Sequence, residues 1–142
     1  MKHCCMGIRT DFGNQPYITN VAEKAVRNEH FRRVLWTGCH AQMTLMCIPV
    51  CADIGTEMHP DTDQIIRIEQ GMALVKMGEC EKQLDCQEKV CMGDVIFVPA
   101  GTWHNIINIG KMPLKLSSIY APPHHPAGTI HHTKSDAEKE EC

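Results

Sequence analysis

Residues Gly93 to Asn108 read GDVIFVPAGTWHNIIN, an order that no helix can hold. Val95 to Val98 is a short apolar run, Pro99-Ala100-Gly101 follows it, and a second apolar run extends through Ile109. Proline fixes φ and removes a donor, and glycine accepts turn geometry, so the stretch predicts a strand, a corner and a strand. The same grammar recurs upstream. Ala41 to Val50 is apolar and β-branched and contains Pro49. Ile54 to His59 alternates and stops at Pro60. Gln64 to Glu69 returns after the acidic loop Pro60 to Asp63, and Gly71 turns into Met72 to Met77. Gln83 to Val90 predicts a polar edge strand, and Leu114 to Tyr120 a last one. Many short strands without a long helical period predict an all-β antiparallel sandwich or barrel.

The ends differ from this middle. Residues 1–16 are polar and punctuated by Gly and Pro, and predict an N-terminal arm; 17–123 carry the barrel; 124–142 form a His-rich C-terminal tail. A helical turn is expected over Asn20 to Val26, capped by Asn20, with Ala22, Ala25 and Val26 on one face. A second is expected near the end, with Ser135 and Glu138 as its capping box.

Composition removes several function classes. The net charge is -3 and no basic stripe occurs, which argues against nucleic-acid binding. No apolar run reaches the roughly 18 residues of a membrane span. The start, MKHCCMGIRT, lacks the apolar region of a secretory signal, so a cytoplasmic protein is expected. Nine cysteines without any C-x-x-C are then expected to be reduced thiols packed as small hydrophobes, with Cys4 and Cys5 on the arm.

Potential metal ligands cluster in the two central stretches. Glu57 and His59 are two apart, so on a strand both point the same way. Gln64 opens the next strand and shares its face with Ile66 and Ile68, which would floor the site. The Pro99 to Gly101 corner presents His104. Glu57, His59, Gln64 and His104 form an N/O set that suits divalent Zn, Fe, Mn or Ni and leaves positions open for substrate or water. Glu57 is also the candidate catalytic carboxylate. Asp63 is an alternative to Gln64, at the cost of reversing strand parity and burying Arg67 and Glu69. Parity points Trp103 away from His104.

At these residues the chain resembles the cupin superfamily. Its second motif, G-x5-P-x-G-x2-H-x3-N, is matched by Gly93, Pro99, Gly101, His104 and Asn108. Its first, G-x5-H-x-H-x3,4-E-x6-G, is matched in part: Glu57 replaces the first His, His59 matches the second, Gln64 replaces the Glu, and Gly71 closes it. Gly55 lies too close to Glu57 for the opening glycine. The resemblance implies a double-stranded β-helix, the jelly-roll barrel, with short helical turns at both ends. The Trp36 to Gly38, Pro113 to Pro123 and Tyr120 to Lys134 segments look like a subfamily of small single-domain cupins described as mannose-6-phosphate isomerase-like. That likeness implies a metal-dependent isomerase acting on a small polar, sugar-like substrate. An Fe(II)-dependent dioxygenase and a non-catalytic binding module are the alternatives. It also implies a homodimer, and a tail folded over the barrel so that His125 or His131 reaches its mouth.

Overall fold

The computed structural model describes residues 10–141. Helix α1 (Val21–Arg27) is followed by strands β1 (Arg32–Thr37), β2 (Gln42–Ile48), β3 (Asp63–Gln70), β4 (Met72–Gly78), β5 (Cys86–Cys91), β6 (Val95–Val98), β7 (Trp103–Asn108), β8 (Leu114–Ala121) and β9 (Ile130–His131), and then by helix α2 (Lys134–Glu141). A six-stranded sheet runs β6-β3-β8-β2-β1-β9 and a three-stranded sheet β5-β4-β7. The pairings are antiparallel, as the strand grammar predicts. β5 pairs with β4 alone and is an edge, as its polar sequence suggests.

Strand parity divides the barrel interior. Ile48, Ile66, Ile68, Ala73, Val75, Ile96, Ile106, Leu114 and Leu116 are all buried in one apolar cluster. The same inward faces continue into polar residues: Arg32, Gln42, Thr44, Gln64, Ser118 and Tyr120 are also buried. Burying apolar surface stabilises the fold by roughly 25 cal/mol per Å², whereas each of those polar groups must find a partner. The apolar half therefore holds the barrel together, and the polar half holds the site.

Several expectations need correction. Ile54 to His59 is not a continuous strand. It meets β7 at two isolated bridges, Asp53 with Ile107 and Glu57 with His104, because Gly55 at φ +86 breaks the extension between them. α1 is capped as expected, Asn20 Oδ1 accepting from the Glu23 amide at 2.9 Å. Its buried side, however, carries Ala25, followed by buried Asn28, while Ala22 and Val26 face solvent. α2 is capped by Thr133 and Asp136, each side chain accepting from the other's backbone amide at 3.2 Å. The cap thus lies before the expected Ser135. The free thiols of Cys39, Cys51, Cys80, Cys86 and Cys91 are exposed rather than packed. Cys4 and Cys5 lie outside the described residues. Among the described residues no helix is long and apolar enough to cross a membrane.

Candidate metal centre

The corner after β6 sets the site. Gly101, at φ +83, turns its amide onto the His59 carbonyl at 2.9 Å. An L side chain rarely adopts that backbone conformation, so glycine is required there. Asp63 holds the same corner from the other side, Oδ1 accepting from the Ala100 amide at 2.9 Å. Asp63 faces outward and Gln64 inward, together with Ile66 and Ile68. Asp63 therefore supports the corner and lies on the opposite face of β3 from Gln64. Asn108 is structural as well: its side-chain amide donates to the Ile48 and Met112 carbonyls at 3.0 Å and accepts from the Gly110 amide at 2.9 Å. Trp103 is half-buried beside fully buried His104 and opposite it in parity.

Glu57, His59 and His104 converge. Their ligand atoms all lie within 4.8 Å of one another. Glu57 Oε1 is 3.5 Å from His59 Nε2 and 3.5 Å from His104 Nε2. Both imidazole nitrogens are buried and have no hydrogen-bond partner. Two atoms each about 2.1 Å from one tetrahedral ion stand about 3.4 Å apart, so the spacing fits shared coordination. His104 Nδ1 lies 3.0 Å from the Thr102 carbonyl oxygen, which can only accept. Nδ1 therefore carries the proton, and Nε2 turns its lone pair to the cluster.

Gln64 is the fourth residue of the expected set. Its amide nitrogen donates to Ser118 Oγ at 2.8 Å, and its buried Oε1 has no partner. Burial alone would raise the Glu57 carboxyl. The close imidazoles of His104 and His59, with the charges of His59 and Arg32, outweigh it and hold the group well below the usual carboxylate range. The donor chemistry of the cluster is thus two imidazoles and an ionised carboxylate, which fits a divalent cation of borderline hardness.

The tail returns to this end of the barrel, but the first ring to reach the cluster is His124, whose centroid is 4.2 Å from that of His59. His125 packs at 5.2 Å against Tyr120, and Tyr120 at 5.7 Å against His59. Gln42 fastens the turn: Oε1 accepts from the amides of His124 at 3.1 Å and His125 at 2.9 Å, and Nε2 donates to the His125 carbonyl at 2.8 Å. His131 sits one layer further out, between Arg32 and Glu140. Sequence reasoning passed over His124, Gln42, Tyr120 and Arg32. A charged residue on the same side of β1 as Val34 was the one signal available for Arg32.

The family model for the cupin domain matches residues 44–120. This chain is a cupin. The uncharacterized protein YrkC of Bacillus subtilis is 53% identical over 127 residues, covering 89% of this cupin and 68% of YrkC. The uncharacterized protein L612 of Acanthamoeba polyphaga mimivirus is 45% identical, over 82% of this cupin and 72% of L612. The crystal structure of BH2720 from Bacillus halodurans superposes with a TM-score of 0.91 at 52% identity, covering 92% of this cupin and 99% of that chain.

Proposed function

We propose that this cupin binds a divalent metal through Glu57, His59, Gln64 and His104 and acts on a small polar substrate as an isomerase. The observation that carries the metal is the meeting of two buried, unpartnered imidazole nitrogens with one ionised carboxylate. When bound, the cation would supply Lewis-acid polarisation of a substrate carbonyl or hydroxyl. The chain's own residues do the rest. Thr102 and Ser118 keep His104 and Gln64 in ligating orientation. In this reading His124, packed on His59 but open to solvent, carries a proton between adjacent substrate carbons. Burial pushes the Tyr120 phenol up to about 12, Arg32 lowering it and Glu57 adding to the rise, so it remains a neutral donor.

The test begins with elemental analysis of protein purified without chelator, followed by thermal-shift measurements with sugars and sugar acids and by proton-exchange NMR on any that bind. Metal-free wild-type protein that takes up no divalent ion on reconstitution would end the reading. A second reading, an Fe(II)-dependent dioxygenase, is favoured by the same two-His, one-carboxylate cluster. Oxygen uptake with Fe(II) separates the two. We also propose that two copies pair across the outer face of β3 and β6. There Val95 and Phe97 on the edge strand β6 and Ile65 on the adjoining β3 are exposed, and such an edge invites cover.

A further inference from the structure

Near the cluster lies a buried cation that forms no ion pair among the described residues. Arg32 is only 2% exposed. Its Nη1 lies 3.2 Å from His131 Nδ1, and its Nε is buried without a partner. A guanidinium can only donate, so His131 Nδ1 accepts and its Nε2 carries the proton toward Glu140. No ion pair among the described residues includes Arg32.

The neighbours of this cation lead to the metal centre. The His131 ring is 6.3 Å from that of His125, whose Nε2 is also buried and unpartnered. His125 packs on Tyr120, and Tyr120 on His59. Arg32 is thus linked to the ring of His59 through His131, His125 and Tyr120. A desolvated, unpaired guanidinium is costly, and an anion bound beside it would supply what the fold withholds.

We propose that Arg32 and His125 form a carboxylate-recognition subsite beside the metal centre, so that the substrate is a small carboxylate-bearing molecule, such as a hydroxy acid or sugar acid, and not a neutral sugar. The planar edge of one guanidinium matches the two oxygens of a carboxylate. A phosphoryl dianion calls for more donors, and the other buried cation, Lys115, is already bonded to the Asn28 carbonyl. A divalent ion held by one carboxylate, near a guanidinium without an ion pair, would leave this end of the barrel cationic, and an anionic substrate would balance it. The subsite deepens the metal-dependent reading above, but it can be tested without the metal.

The experiment is calorimetric titration of the full chain, metal-stripped and metal-loaded, with glycolate against glycolamide and galacturonate against galactose. Each carboxylate should bind more tightly than its neutral partner by on the order of thirtyfold or more, in both forms of the protein. Arg32→Gln should erase the preference while elemental analysis shows unchanged metal content, and Arg32→Lys should restore part of it. The proposal is overturned if the neutral members bind as well as the acids, if no carboxylate binds, if inorganic phosphate binds more tightly than any carboxylate, or if Arg32→Gln keeps the preference. Should that variant fail to fold, the matched pairs on wild-type protein decide. A preference that persists on wild-type protein unable to take up metal would sink the metal reading and leave the subsite standing.

Discussion

Glu57 and His104 are joined twice. Their backbones exchange two hydrogen bonds of 2.9 Å, and their side chains stand 3.5 Å apart on the same side of that bridge. The backbone link does not depend on what the side chains are. His104→Ala and Glu57→Gln should therefore keep the fold, judged by circular dichroism, and lose the ion. The expected loss in metal affinity exceeds the roughly 10- to 100-fold typical of outer partners. Elemental analysis and chelator competition measure it. Unchanged metal content in both variants would place the ion elsewhere.

Ser118 tests whether Gln64 is a ligand. The hydroxyl accepts from the Gln64 amide nitrogen at 2.8 Å and so aims Oε1. Ser118→Ala should weaken metal binding by about 10-fold or more if the amide oxygen ligates. If Gln64 merely lines the wall, the variant will bind metal like wild type and show a change only in melting temperature.

His125 makes acid stability predictable. Burial, then the charges of Arg32 and His124, depress its pKa to about 3, with Glu57 opposing them. The unfolded chain binds this proton near pH 6.5 and the folded chain does not. A group with a depressed folded pKa contributes stability that is complete above the unfolded value and is lost as pH falls toward the folded one. Between about pH 6.5 and pH 3, this residue should lower unfolding free energy by up to about 1.4 kcal/mol per pH unit. His125→Asn, compared with wild type in urea titrations of chelator-treated protein, should flatten that limb. Parallel limbs would show that His125 titrates normally.

The pairing of two copies is tested at Phe97, which is 67% exposed and sits opposite Ile65 in the β3–β6 ladder. Phe97→Asp should convert a dimer into a monomer in light scattering while leaving metal content unchanged. Wild-type protein that is monomeric at high concentration would end the idea.

Gly93 to Asn108 could be read directly because its corner is local: Pro99, Gly101 and His104 fix one another's geometry within a few residues, and the structure shows that corner. Parity placed Gln64 inward and Asp63 outward for the same reason, since period-two alternation is a property of one strand, although Glu69 is buried where β3 shifts register between Ile68 and Gln70. The segment from Ile54 to His59 misled because its alternation resembles a strand, while Gly55 adopts a conformation that strands exclude. What stayed illegible was brought in from afar. Gln42 meets His125 across 83 positions, and Arg32 meets His131 across 99. No window of sequence contains both members of such a pair. β9 is only two residues long and exists because β1 offers it an edge, so it has no periodicity of its own.

The distance along the chain between Arg32 and His131 has a consequence for biosynthesis. Arg32 leaves the ribosome long before the residue that receives it, and Lys134 and Ala137, which anchor α2 to Asp53 and to the apolar cluster, emerge later still. A nascent chain can collapse its aliphatic half early, but its charged mouth must wait, hydrated and open, until His131 and α2 have emerged.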